Sequence, residues 1–319
     1  MDYQRILLQQ IRKKIGSKIS INDEISAVLN ISYDAAHRRV SGKSKFSIDE
    51  TVLIARYFKI SMDHIFLDSN HIIVEKTIEI LTLSDMLKYF QSSAQFIEKI
   101  TKNENSVIYY SAKDIPLFYF MDGTILSKFK AFVWINMLNS NQKQVNFEDF
   151  IINESFFEPM RKLKKVYEKT SINEVWNDTT INSSLQQIIY FYEAGLLNFE
   201  SAQLLFRDLH RILDLLKNKC SDVNNTYSLF FNELILLNNN LLFKSEKKLT
   251  MFVPYTLLGY FITENEESCA NVKTFFEQQM DNSLHLNAAG IKEKNKFFDK
   301  MTRKINFYET QIKIYVENF

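Results

Sequence analysis

Twelve residues, Ile31-Ser-Tyr-Asp-Ala-Ala-His-Arg-Arg-Val-Ser-Gly42, constrain this chain most, because they spell a short helix built to be presented rather than buried. Ser32 is placed to cap it, its hydroxyl accepting an amide hydrogen two or three residues on. Asp34 falls in the first turn, where the helix dipole favours negative charge. Ala35, Ala36 and Val40 form a narrow apolar stripe, enough for one face to lie on a small core. Gly42 ends the helix in the left-handed conformation that glycine takes without steric cost. Tyr33, His37, Arg38 and Ser41 then point away, followed by Lys43 and Lys45. Such an outward face suits base edges and phosphates.

The flanks continue the pattern. Residues 2–15 read as a helix with Ile6, Leu7, Ile11 and Ile15 on one stripe and Arg12-Lys13-Lys14 at the end where cations suit the dipole. Ser20 to Leu29 reads as a second short helix with Ile25, Val28 and Leu29 inward. Asn30 makes the following turn, since asparagine tolerates left-handed backbone. Ser26 is small enough to let the next helix cross close by. Ser47-Ile-Asp-Glu50 is a capping box. It opens a helix whose core side is expected to be Val52, Leu53, Ile54, Ala55 and Phe58, and a last short turn closes with Ile65 and Phe66.

With Ser26, Asn30-Ile31-Ser32, Gly42 and the run SIDETVLIARYFKISMDHIF (47–66), residues 2–66 resemble the helix-turn-helix domain of Cro and lambda-repressor-like transcription regulators. Two positions depart from that family: Asn30 replaces the usual turn glycine, and Arg39 stands where a hydrophobic residue is usual, with Val40 next to it. The resemblance implies a five-helix domain whose helix at 32–41 enters the major groove of double-stranded DNA. Arg38 would face guanine, Tyr33, Asp34 and His37 would read or exclude neighbouring bases, and Asn22, Lys43 and Lys45 would grip phosphates; Ser32 and Ser41 complete the candidate contacts. One such helix reads few base pairs, so a homodimer is expected. The rival reading is a protein-interaction scaffold whose small N-terminal domain binds a partner protein instead of DNA. Charge leans toward DNA: residues 1–66 carry 11 Lys and Arg against 7 Asp and Glu, while the whole chain is at +1.

Only 6 Gly and 3 Pro occur in 319 residues, which predicts helix nearly throughout. The expectation is an all-α protein: DNA-binding domain 1–66, connector 67–83, helical regulatory or dimerising body 84–319. In the connector, Ile78 and Ile80 alternate with Thr77 and Glu79, as a short extended piece would. Ser84-Asp85 reads as the cap of a helix with Leu87, Phe90, Ala94 and Ile97 at 3-4 spacing. Residues 183–219 read as an αα-hairpin turning near Gly195; the shape resembles helical-repeat proteins, though no fixed period is found. Residues 225–243, 245–263, 268–282 and 292–318 are expected to continue in helices. In the last, Phe298, Met301, Ile305, Tyr308, Ile312, Tyr315 and Phe319 form a seam for another helix, in a second copy or in the same chain.

Other chemistry is scarce. Asp122-Gly-Thr invites comparison with the Asp-x-Asp-Gly-Thr motif of haloacid-dehalogenase-type hydrolases, but the nucleophile position, 120, is Phe. The five histidines are scattered, phosphate-binding glycine loops and a Gly-x-Ser-x-Gly elbow are missing, and Asp208 and His210 read as surface residues rather than a dyad. No enzyme, cofactor or metal is expected. Two cysteines without a framework point to a reducing cytoplasm. The longest uncharged apolar run, 251–263, is too short for a bilayer and is expected to be a buried turn between helices. A small-molecule or protein effector is open to the body. An apolar one would use a pocket among the 27 Phe and 15 Tyr, which serve equally well as core.

Overall fold

The computed structural model describes residues 2–16, 19–63, 71–101, 105–138, 145–222, 226–234, 239–246 and 248–317, the side chains of 315–317 excepted. The chain divides into two compact units, Met1–Ile73 and Val74–Phe319.

The first unit holds α1 (Tyr3–Ile15), α2 (Ile21–Leu29), α3 (Tyr33–Val40) and α4 (Ile48–Phe58). Caps set three of the boundaries: Ser20 accepts from Asp23 N, Ser32 from Ala35 N, and Ser47 with Glu50 closes a full capping box. Asn30 sits in the left-handed region at φ 51°, ψ 49°, so the polypeptide reverses there without glycine. Leu7, Leu8, Ile11, Ile25, Ala36, Ile54 and Phe58 close a core of their own. On α4 the expected core side shifts: Ile54, Ala55 and Phe58 are buried, but Val52 and Leu53 are exposed. Four consecutive apolar residues cannot all share one face of a 3.6-residue turn. The predicted turn ending at Ile65 and Phe66 lies outside the described residues.

The second unit overturns the all-α expectation. Its elements run β1 (Glu75–Lys76), α5 (Leu83–Ile100), β2 (Val107–Ala112), α6 (Ile125–Leu138), α7 (Phe157–Glu168), β3 (Ser171–Trp176), α8 (Asn182–Glu193), α9 (Phe199–Lys219), β4 (Tyr227–Phe231), β5 (Leu241–Lys244), β6 (Leu249–Pro254), β7 (Tyr260–Thr263), α10 (Glu266–Asp281), β8 (Leu284–His285) and α11 (Ile291–Glu317). Among the described residues, eight strands form one mixed sheet in the order β1-β7-β6-β5-β2-β3-β4-β8. β2, β3 and β4 are parallel and the other pairings antiparallel. Helices cover both faces. Ile108, Tyr110 and Ala112 of β2 join the large core on one side, while Tyr109 joins a smaller core with Cys269 and Phe276 of α10 on the other. Strands buried on both faces lose the apolar–polar alternation that betrays a half-exposed strand, so runs such as 241–243 and 249–254, within segments expected to be helical, pass for buried helix. The run 251–263 is therefore a β6–β7 hairpin, with Met251 opposite Thr263 and Pro254 opposite Tyr260.

The segments expected to be helical at 183–219 are so, as α8 and α9 around Gly195 (φ 69°). The α5 cap is Thr82, which accepts from Asp85 N while Asp85 accepts from Thr82 N, so the helix starts slightly earlier than Ser84 suggests. The α11 seam packs inside its own unit: Phe298, Met301, Ile305 and Ile312 are buried in the large core and Tyr308 lies against it, mainly through α9 and α8. Phe319 lies outside the described residues.

One polar knot crosses this core. Glu174, fully buried on β3, accepts from Tyr119 (2.8 Å) and Tyr167 (2.5 Å) on one oxygen, and from Trp176 Nε1 (2.7 Å) and Tyr227 (3.0 Å) on the other. Burial pushes its pKa up, while the tyrosine donors, Lys219 and Trp176 pull against that rise. Four donors on two buried oxygens leave no acceptor site for a ligand, so the residue ties β3 and β4 to the α6–α7 side of the fold.

Candidate nucleic-acid interface

The face at 32–41 is assembled from α2, the turn and α3. Ser26 Oγ donates to Ile31 O (2.6 Å), which draws the turn against α2. Gln4 reaches from α1, donating to Arg39 O (2.8 Å) and Ser44 O (3.0 Å) and accepting from Phe46 N (2.9 Å), and so fixes the segment that follows α3. Nothing in the local sequence singles out Gln4, because its partners lie about forty residues away.

The nine candidate contact residues divide into groups. Asn22 Nδ2 donates to Tyr33 Oη (3.2 Å) and lies 3.5 Å from His37 Nδ1, so these three meet at one end of α3. Asn22 thus holds the two exposed rings with the amide nitrogen that a phosphate would require. Ser32 is exposed but engaged as the cap (3.3 Å to Ala35 N), and Ser41 donates to Arg38 O (3.3 Å). Asp34, Arg38 and Lys43 are exposed. Lys45 pairs with Asp2 at 3.0 Å, and that contact holds the Asp2 carboxyl below its ordinary pKa. Among the described residues, Arg38 and Lys43 take part in no ion pair of the first unit.

Arg39 behaves differently from its neighbour. Its guanidinium forks onto Glu50, Nε to Oε2 at 3.1 Å and NH2 to Oε1 at 2.7 Å, and NH1 donates to Ala35 O at 3.2 Å. Glu50 is also the reaching-back half of the α4 capping box, accepting from Ser47 N (2.9 Å). The pair pulls the Glu50 pKa below its ordinary value. A cation therefore occupies the position where the resembled family packs a hydrophobic residue, and its stem and fork bridge α3 to α4.

Elsewhere, Asp122-Gly-Thr proves to be a helix entry: Gly123 N and Thr124 N donate to Ser127 Oγ, and Asp122 is engaged by Lys164 and Arg161. Asp208, expected at the surface, is buried; it accepts from Leu126 N at the start of α6 and pairs with Arg211 at 2.7 Å. Among the described residues there is no group of three or more His, Cys, Asp or Glu that could hold a metal ion, and no helix is long and apolar enough to cross a membrane. Compared with models of protein families, with curated proteins and with solved structures, the chain matches none of them.

Proposed function

We propose that this chain is a sequence-specific DNA-binding transcription regulator acting in the cytoplasm as a homodimer, with α3 in the major groove and the α/β unit as its dimerising or effector-sensing body. The reading is carried by one observation. α3 presents Tyr33, His37, Arg38 and nearby Lys43 outward on a scaffold pinned by Gln4, Ser26 and the Arg39–Glu50 fork. Rigid presentation of a short polar face is what base-edge recognition requires. In this reading Arg38 faces guanine, Tyr33, Asp34 and His37 discriminate neighbours, and Lys43 meets phosphate. Two copies, about one helical turn apart on the duplex, supply the length of operator that one helix lacks.

A gel shift of the full chain on fragmented genomic DNA, followed by sequencing of the bound fraction, tests the proposal. Enrichment of a sequence with two-fold symmetry supports it; retention without enrichment at any salt concentration overturns specificity. Lys43→Ala should weaken all sequences alike and lower the slope of log affinity against log salt by about one. Light scattering at tens of micromolar that shows a monomer removes the dimer.

The rival, a protein partner on the first unit, has its own support in α4. Ile48 (84 % exposed), Leu53 and Tyr57 (60 %) stand in solvent there. If genomic DNA is not retained at all, that face becomes the first target for substitution.

A further inference from the structure

A cavity of about 220 Å³ opens inside the second unit. Tyr89, Phe96, Tyr110, Phe118, Phe252 and Tyr260 supply most of its aromatic wall. The rings brace one another: Phe96 on Phe252 at 5.8 Å, Tyr110 on Phe118 at 6.3 Å, Phe252 on Tyr260 at 6.2 Å, each edge to face. Protein cores rarely keep voids much larger than a water molecule, and about 150 Å³ already houses a benzene ring. A wall of mutually supported rings also cannot collapse into the space without breaking those contacts.

The polar groups at the wall are nearly all neutral hydroxyls. Thr77 Oγ1 accepts from Tyr260 N at 3.0 Å, and the Tyr89, Ser93, Tyr110 and Tyr260 hydroxyls belong to residues that line the space. Burial raises the pKa of Tyr89, Tyr110 and Tyr260, so all three remain neutral donors. Among the described residues no carboxylate lines the cavity, and the one charged lining residue, Lys76, is exposed at the rim with exposed Ile78 and Ser92. A hydrated rim charge contributes little to affinity. A cation therefore has no counter-ion here, and an anion would be drawn only to the outside.

Lys76, Thr77 and Ile78 line one side of the cavity at its rim. These belong to the first segment of the second unit, which begins at Val74 directly after the first unit ends. That segment is weakly held: β1 pairs with β7 at only two positions, extended by Thr77 N to Tyr260 O at 3.1 Å.

We propose that this cavity binds an uncharged, mainly apolar small molecule of about ten non-hydrogen atoms, and that occupancy fixes the β1 segment through which the chain enters the second unit. The apolar body fills the ring-lined space, a hydroxyl, carbonyl or ring N–H meets the tyrosine and serine hydroxyls, and contact with Thr77 and Ile78 secures β1 on β7. Binding itself does not depend on the DNA-binding proposal. Only its regulatory meaning does, and neither measurement below involves DNA.

The test uses the full chain with indole, naphthalene, 1-octanol and octanoate as probes, read by thermal unfolding and by hydrogen exchange of residues 74–80. At least one neutral probe should raise the melting temperature saturably, by roughly 5 °C or more at one hundred times its Kd. The same probe should slow exchange at Thr77 and Ile78. Ser93→Phe, which fills the cavity, should abolish both effects while melting no lower than the parent; if it does not fold, Ser92→Trp at the exposed rim takes its place. No effect from any neutral probe, or an undiminished effect in the filled variant, overturns the site. Tighter binding of octanoate than of 1-octanol overturns the ligand class. Thermal stabilisation without protection at 74–80 overturns the coupling to β1.

Discussion

Adjacent arginines on α3 should separate folding from recognition when each is replaced by alanine. Arg38 is exposed and Arg39 is forked onto Glu50, with side-chain exposures of 22 % and 19 % for the pair. An exposed ion pair contributes about 0–1 kcal/mol, but bidentate geometry and partial burial place this one at or above the upper end. Adding the Ala35 carbonyl contact, Arg39→Ala should cost about 1–2 kcal/mol. In a unit of this size each kcal/mol moves the melting temperature by about 4–8 °C, and the loss is readable by circular dichroism on a chain ending at Ile73. The pair is also acid-labile. Arg39 holds the Glu50 pKa below its ordinary 4.5, so the unfolded chain takes up a proton first as pH falls. The contribution is thus complete above about pH 4.5 and disappears as pH drops through the lower folded value. The gap between parent and Arg39→Ala should close over that window. Arg38→Ala should instead change stability by no more than about 0.5 kcal/mol while costing about 1–3 kcal/mol of operator binding at one base pair. The reasoning is refuted if Arg38→Ala is the destabilising change, or if Arg39→Ala melts like the parent at neutral pH.

The chain ending at Ile73 should fold alone, because Leu7, Ile11, Ile25, Ile54 and Phe58 close a core within it; a coil spectrum contradicts this, and its DNA binding should be weak. Lys130, buried on α6 beside Gln187 (2.6 Å) and the Phe120 ring, has its pKa lowered to about 7 by burial. Because the folded state then holds fewer protons between about pH 7 and 10.5, stability should rise with pH across that window. Lys130→Met should be more stable than the parent at pH 6 by about 2–4 kcal/mol in urea titrations, a gap that shrinks toward pH 10. Glu174→Gln should cost about 2–4 kcal/mol, since whichever way the amide turns, its NH2 replaces an oxygen that accepts two hydrogen bonds, from Tyr119 and Tyr167 or from Trp176 and Tyr227; unchanged urea midpoints contradict that account.

Much of the first unit was legible because its signals are local. Ser20, Ser32, Ser47 and Glu50 cap within three residues of themselves, and Asn30 reverses the chain by its own backbone preference. What escaped there was non-local: Gln4 binds groups near residues 39–46, and the burial of Ile54 over Leu53 follows from where α1 and α2 lie.

In the second unit, helices with solvent on one side, such as α5, α8 and α9, kept a 3-4 apolar stripe and could be placed from it. The strands could not. Scarcity of glycine and proline argues against frequent turns, but it does not argue against strands, and β2, β5 and β6 are apolar in succession because each face meets a helix layer. The sequence by itself determined the caps, the turn at Asn30 and the outward polar face of α3, all governed by interactions a few residues long. Only the tertiary structure decided the mixed sheet, the inward packing of the α11 seam and the ring-lined cavity. Each of these depends on which distant apolar segments share a core, and hydrophobic burial drives that choice without encoding it in any short stretch of chain.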